Sequence, residues 1–362
     1  MTKHVLIIGG GVAGMEAAGV LADMGYRVSV VEKDDKPGGH VMRWHALFPD
    51  RRPAHEVTKH MLRRLDNKNI SLQTGRTVES LRHHGHGVIA DISDGSSIEA
   101  DAAIVATGFD LFDAGRKEEY GYGIYDNVIT SAELEDMFNS GKIRTSAGKI
   151  PERIGFIHCV GSRDEKVNNN HCSKVCCVTA VKQAVEVRQA LPECEIFCFY
   201  MDMRMFGPYY EELYRESQEK HNINYIRGKV SEASTTINNR LTVKVEDTLA
   251  GRPLKMELDL LVLMVGMEMA AEGGRLALSS KLEQGINRFF ETSDHHYGNN
   301  KSRKKGIFSR RARRPKRLRG QQSSRSRSTG SGLTVGLAIR ASRNISTAGT
   351  YHRQPGWRVC RT

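Results

Sequence analysis

Long apolar runs are missing from the 362-residue chain. The longest, Leu260 to Met267, is closed off by Asp259 and Glu268, well short of the ~20 residues that a spanning helix needs. No transmembrane segment is therefore expected. The N-terminus runs straight into Val5-Leu6-Ile7-Ile8 and a glycine cluster, which leaves no room for a secretory leader. Cysteine is scarce, at seven residues, too few for a disulfide scaffold. Four of them crowd between Cys159 and Cys177, a pattern that points to a metal centre or redox thiols. No Ser/His/Asp arrangement or carboxylate pair calls for hydrolytic chemistry, and no catalytic residue is assigned. Acids vanish at the C-terminal end: from Lys301 to Thr362 there are 18 Lys and Arg and no Asp or Glu. The formal charge of +12 thus divides into −6 for the first 300 residues and +18 for the rest. The length allows about two domains.

The informative features begin at the N-terminus. Val5 to Ile8 is a short apolar run, and Gly9-Gly10-Gly11-Val12-Ala13-Gly14 satisfies G-x-G-x-x-G. Ala17, Val20, Leu21 and Met24 recur at helical spacing, Gly25 stands where a helix stop is wanted, and Arg27 to Val31 reads as a second strand ending in Glu32. This is a complete βαβ unit. Gly9 suits the tight turn, Gly11 the approach of a pyrophosphate to the backbone, and Gly14 close helix–strand packing. Glu32 is placed to accept hydrogen bonds from a ribose. Gly38-Gly39, and a strand Ala102 to Val105 ending in Ala106-Thr107-Gly108, resemble the two-dinucleotide-domain flavoproteins and favour FAD over NAD. The candidate cofactor-binding residues are Gly9, Gly10, Gly11, Val12, Ala13, Gly14, Glu32, Lys33, Gly38, Gly39, His40, Thr107 and Gly108. Ile70 to Ala100 alternates apolar and polar residues between glycine turn marks and reads as a small antiparallel layer. His83, His84 and His86 fall there as solvated loop residues.

A second βαβ pattern starts at Ile154, with a helix carrying Cys177, Val181, Ala184 and Val185 on one face and then the strand Glu195 to Tyr200. Where a second glycine fingerprint should stand there is none. Instead Cys159, Cys172, Cys176 and Cys177 form the pattern C-x12-C-x3-C-C. Cys172 and Cys176 share a helix face if the helix starts early. Helix N–H groups, Arg163, Lys174 and Lys182 are expected to stabilise thiolates. Four thiolates suit either a [4Fe-4S] cluster or zinc; adjacent ligands fit the C-x2-C zinc knuckle poorly and favour iron–sulfur. Cys194 and Cys198 read as core residues. Leu258 to Val265 reads as a buried strand closing this domain.

Cys159-Val160-Gly161-Ser162-Arg163-Asp164-Glu165-Lys166, the Cys172–Cys177 block and Met201-Asp202-Met203-Arg204-Met205-Phe206-Gly207 resemble the family of A-type subunits of heterodisulfide reductase. Glu211-Glu212-Leu213-Tyr214 and Ile226-Arg227-Gly228 extend the likeness, which covers residues 1–308. The chain lacks ferredoxin-type C-x2-C-x2-C-x3-C inserts, which favours the shorter branch, the A-type subunits of quinone-interacting membrane-bound oxidoreductase complexes. The resemblance implies an α/β architecture of two Rossmann-like domains, with FAD and a [4Fe-4S] cluster held by Cys159, Cys172, Cys176 and Cys177. It also implies electron relay between partner subunits: an iron–sulfur flavoprotein, haem and quinone-interacting membrane subunits, and adenylylsulfate reductase in dissimilatory sulfate reduction. The protein would be cytoplasmic and attached to the membrane only through those subunits.

The expected domains are an FAD-binding unit with its antiparallel layer (1–150), a second Rossmann-like unit with the cysteines (151–268), an incomplete return to the first (269–308) and a basic disordered tail (309–362). Gly306-Ile307-Phe308 fits the family's returning strand, and Ser309 to Arg319 then departs from its pattern. A shifted reading frame near Phe308 accounts for this better than an arm that binds nucleic acid or anionic lipid, and no nucleic-acid partner is assigned. Two other readings of the whole chain are an NAD(P)H-dependent thiol/disulfide flavin oxidoreductase and a nucleic-acid-binding protein acting through the tail.

Overall fold

Val5 to Ile8 are apolar on both sides because β1 (His4–Ile8) is the middle strand of a sheet covered on both faces. In the computed structural model, which describes residues 2–291 and 307–309, α1 (Val12–Asp23) follows and buries Ala18, Leu21 and Ala22 against Val5, Ile7, Val28 and Val30. Gly25, at φ 85°, lets the chain turn into β2 (Arg27–Val31). β3 (Ile70–Gln73) and β4 (Ala102–Val105) complete a parallel array in the order β4-β1-β2-β3. The β1–β2 and β2–β3 crossovers pass through a helix, α1 and Ala54–Leu65, and the crossover from β3 to β4 runs through the strands between Val78 and Ala100.

The second sheet contains β5 (Val128–Thr130), β6 (Arg153–Val160), β7 (Glu195–Tyr200), β8 (Asn224–Arg227) and β9 (Leu260–Val265), parallel in the order β5-β9-β6-β7-β8. β10 (Ile307–Ser309) pairs with β4 and makes the first sheet five-stranded, β10-β4-β1-β2-β3; its β4-β1-β2-β3 follows the same chain order as β9-β6-β7-β8, while the outer strand comes last in the chain here and first, as β5, in the second sheet. Each sheet also carries a three-stranded antiparallel layer, Val78–Ala100 in the first half and Val230–Leu258 in the second. The two halves therefore repeat one plan. They are joined where Phe109–Leu111, leaving the first, pairs antiparallel with Met267–Met269, returning to it.

Three expectations need correction. Ile70–Gln73 belongs not to the antiparallel layer but to the edge of the parallel sheet, beside β2; alternation looks the same on a half-exposed edge strand of either kind. The strand read as Leu258 to Val265 is broken at Asp259, whose carboxylate accepts the backbone N–H groups of Glu152 and Arg153, both at 2.9 Å. The helix α2 (Cys176–Ala190) is buried nearly all round from Cys176 to Val187 rather than on one face. His83, His84 and His86 are exposed, as expected of them. Among the described residues no helix is long and apolar enough to cross a membrane. The expectations for residues 292–306 and 310–362, the basic tail included, lie outside the described residues.

Burial of α2 demands an answer for its polar side chains. Lys182, 2% exposed, donates to Glu135 Oε1 at 2.6 Å and to the Ala46 carbonyl at 2.9 Å, and lies 3.1 Å from Glu186 Oε2. Gln183 adds a bond to Glu135 at 2.6 Å, and the His45 N–H reaches the other Glu135 oxygen at 2.9 Å. One cation thus serves two carboxylates and ties α2 to the first-half segment at residues 45–46.

Lys182→Met is expected to cost about 3–5 kcal/mol in urea unfolding, the range for leaving buried charge unpaired. Burial pushes the Glu186 carboxyl up to about 7, against the pull of Lys182. The folded chain then binds more protons than the unfolded one between 4.5 and about 7, so this group's contribution to stability is lost as pH rises through that window. Glu186→Gln should flatten the fall in Tm across it.

Candidate functional site

Two sites follow from the repeated plan, each where the central strand of a sheet hands over to a helix. At the first, Gly9 turns at φ 105° and donates to the Val31 carbonyl at 2.8 Å. Gly14 lies against the Gly9 carbonyl, where any Cβ would collide. Gly11 is the N-cap of α1, no side chain caps that helix, and nothing lies within 4 Å of where a Gly11 Cβ would point. Val12 and Ala13 open the helix. The result is an open cradle before uncapped N–H groups, the arrangement that receives a phosphate.

Glu32 is buried at 5% exposure and accepts from the Gly10 N–H and from the Asp34 N–H, the latter at 2.9 Å. Gly38 and Gly39 come to the same crevice: the Gly38 N–H donates to the Gly10 carbonyl at 2.8 Å, and a Cβ on Gly39 would stand 3.3 Å from Gly11 Cα. Ala106 packs under Gly9, and Thr107 and Gly108 follow at the end of β4. Gly9 to Gly14, Glu32, Gly38–Gly39 and Thr107–Gly108 therefore surround the carboxyl ends of neighbouring parallel strands, where dinucleotides bind in such sheets. Lys33 and His40 are committed elsewhere. Lys33 bonds Glu272 at 3.2 Å, while His40 Nε2 reaches the Phe109 carbonyl at 2.7 Å and its ring stacks on Phe109.

At the second site the turn is of another kind. Between β6 and α2 run fifteen residues, 161–175. Cys159, Arg163, Asn168 and Lys174 all take positive φ there, a backbone cost of order 1–3 kcal/mol each that the surroundings must offset. Those surroundings include the buried Lys117, which donates to Asp164 at 2.7 Å, and Asn169, which donates to the Gly161 carbonyl at 2.6 Å. The Lys117–Asp164 pair is not legible in the sequence: Asp164 sits in a conspicuous motif, but its partner is 47 residues away.

The turn delivers Cys159 Sγ to 3.5 Å from Cys176 Sγ, while Cys177 Sγ contacts the Asp202 carbonyl at 3.6 Å. Cys172 is half-buried and accepts the Lys174 N–H at 3.3 Å. Hydrogen bonds from Cys159 and Cys177 pull the Cys176 thiol well down; the same contacts and burial push Cys159 and Cys177 up. Arg163 bonds Asp202 at 2.7 Å, with Arg204 and Arg227 within 4 Å of the same carboxylate. Lys182 is not among the charges at the thiols; it is consumed by Glu135 and Glu186. His158 is buried, which pulls its pKa down to about 4, and its ring nitrogens have no hydrogen-bond partner. Cys194 and Cys198 are core residues. The donor set suits a thiolate-bound metal group in its chemistry. As placed, however, no group of three or more His, Cys, Asp or Glu among the described residues is arranged to hold a metal ion.

A repeated parallel-sheet plan with a dinucleotide cradle in its first half defines a two-domain Rossmann-type fold built for a dinucleotide cofactor. Residues 1–134 match the pyridine nucleotide-disulphide oxidoreductase family, which supports FAD as the cofactor. The fold is that of the thioredoxin reductase of T. acidophilum, with a TM-score of 0.60 at 18% identity, covering 95% of this chain and 98% of that one. Curated relatives carry the resemblance read from the cysteine segments. The chain is 32% identical to the A-type subunit of the H(2)/formate:CoB-CoM heterodisulfide,ferredoxin reductase of Methanococcus maripaludis. It is 33% identical to the A-type iron-sulfur subunit of the CoB--CoM heterodisulfide reductase of Methanocaldococcus jannaschii. Each alignment covers 80% of this chain and 57% of the relative, so the chain spans little more than half of their length. Its likeness to the A-type subunits of heterodisulfide reductase is thereby established over most of its residues, and each such relative is by name a component of a larger complex.

The first cradle makes a separable prediction. Gly11→Ala requires no strained φ and meets no atom, so the fold should persist while a methyl group fills the cradle; flavin retention after gel filtration should drop by about tenfold or more. Gly14→Ala, colliding with the Gly9 carbonyl, should lower Tm as well.

Proposed function

We propose that the chain is an electron-transfer subunit that carries FAD on Gly9–Gly14, Glu32, Gly38–Gly39 and Thr107–Gly108, and a [4Fe-4S] cluster on Cys159, Cys172, Cys176 and Cys177. The observation that carries this reading is the difference between the two repeats. The first closes its central turn with glycines fit for a pyrophosphate, and the second replaces that turn with fifteen residues and thiols. A nicotinamide dinucleotide has no second cradle, which argues against direct hydride delivery from NAD(P)H. When bound, FAD accepts electrons in pairs and releases them singly, and an iron–sulfur cluster passes them one at a time.

The chain's own residues have supporting parts. Glu32 ties Gly10 and orients the cradle; Asp164 and Lys117 hold the turn that presents Cys159. Arg163 and the helix N-terminus of α2 offset negative charge on sulfur. Electrons would pass between partner subunits. By the resemblance these are an iron–sulfur flavoprotein and haem or quinone-interacting membrane subunits on one side, and adenylylsulfate reductase on the other. On this reading the work lies in the cytoplasm, at the membrane only through partners, in dissimilatory sulfate reduction. The names of the curated relatives point instead to heterodisulfide and ferredoxin, so the donor and acceptor are the part to be measured.

Anaerobically purified protein should show flavin absorption together with about four iron and four acid-labile sulfide per chain, the composition of the cluster. Flavin without iron overturns the cluster reading. Cys159→Ser or Cys172→Ser should remove most of the iron while leaving flavin bound, because the cradle lies on the other sheet.

A further inference from the structure

Cys159, Cys176 and Cys177 meet at the start of α2, and one pair among them can be joined without disturbing that helix. Cys159 and Cys176 are 17 residues apart in sequence and 3.5 Å apart at sulfur. Closing that gap to a disulfide at ~2.05 Å asks for an approach of roughly 1.5 Å. Cys176 and Cys177 are successive residues in the first turn of α2, and a bond between them would have to unwind it. Cys172 lies on the loop and is engaged by the Lys174 N–H. The sulfurs as placed therefore form a thiol pair rather than a metal cage.

One member of the pair, Cys159, also borders a cavity. A small cavity with Cys159, His158, Ser162 and Arg163 in its wall has room for about one water-sized molecule. The His158 ring nitrogens, Ser162 Oγ and Arg163 Nη1 are buried without a partner, so its wall offers polar contacts to a small polar guest. Cys159 stands at φ 60° on a bulged strand end, where a short movement of sulfur is easier than inside a regular ladder.

We infer that Cys159 and Cys176 form a reversible, peroxide-sensitive disulfide whenever the cysteines hold no metal. Hydrogen peroxide is the oxidant: its O–O bond and the two S–H bonds break, one S–S bond forms, and two waters leave carrying the thiol protons. The two sulfurs lose two electrons, which reduce the peroxide oxygens. A thiol reductant reopens the bond by exchange. Closure withdraws two of the four sulfur donors, so it blocks loading of a cluster until the pair is reduced. The disulfide itself concerns the thiols alone, and only its effect on loading rests on the cluster reading.

The test uses the full chain, purified anaerobically, with iron and sulfide counted first and metal then removed by chelation. After treatment with stoichiometric hydrogen peroxide, denaturing alkylation and digestion, mass spectrometry should find a peptide pair linked from Cys159 to Cys176. Cys172 and Cys177 should be alkylated, and dithiothreitol should abolish the link. Reconstitution with ferrous iron and sulfide should fall by about tenfold in the oxidised sample and recover on reduction. Cys172→Ser should leave the link intact. Alkylation of both Cys159 and Cys176 after peroxide, or a link from either to another cysteine, overturns the inference. The initial iron and sulfide count tests the cluster separately.

Discussion

The buried ammonium of Lys182 is the contact on which the arrangement of both sites depends. It lets α2 be enclosed on every side, which in turn fixes where Cys176 and Cys177 begin the helix. Through the Ala46 carbonyl and Glu135 it also fixes where the first half of the chain lies against that helix. This cation donates to a carbonyl and a carboxylate and stands 3.1 Å from a second carboxylate. Removing it would leave negative charge in a region from which water is excluded. The geometry of the thiols and the placement of the flavin cradle are in this sense consequences of one side chain that touches neither.

The two sites solve the same geometric problem with different residues. In each sheet the central strand ends where a helix begins, and the helix N-terminus offers unpaired N–H groups to something negative. Where the turn is short and made of glycine, the backbone comes close enough for a phosphate. Where it is long and constrained by Lys117–Asp164 and Asn169, it brings sulfur to the same relative position. With the order of the four inner strands kept, turn length and composition separate a cradle of backbone N–H groups from a cluster of thiols.

How much of this is legible in the sequence depends on whether the signal is local. The first cradle is legible because Gly9 to Gly14, Glu32 and the apolar run before them carry spacing that few other structures need. The cysteine set is legible as a set, yet its geometry is not, because Cys159 reaches Cys176 along a turn with four left-handed non-glycine residues that no spacing rule reveals. The repetition of the two halves is legible as a second βαβ pattern from Ile154, whereas the second antiparallel layer at Val230–Leu258 is not. Lys182 reads in sequence as a charge beside the thiols, wrongly, because Glu135, its partner, is 47 residues away. Glu186 and Gln183, ordinary as a polar face in sequence, are interior groups.

The antiparallel ribbon of Phe109–Leu111 with Met267–Met269 has a mechanical consequence. Two chain segments crossing side by side make a joint that is stiff to sliding, because the ladder bonds resist it, and compliant to twist. The Lys182 contacts pin the halves at a second place. Asn139 on the Arg43 carbonyl at 2.7 Å, Arg51 on Glu216 at 3.3 Å and Phe48 against Tyr210 fasten them further, so the ribbon is one of several attachments between the halves. His40, stacked on Phe109 and bonded to its carbonyl, ties the ribbon to the segment that follows Gly38–Gly39, so a strain on the joint reaches the edge of the flavin cradle through one side chain.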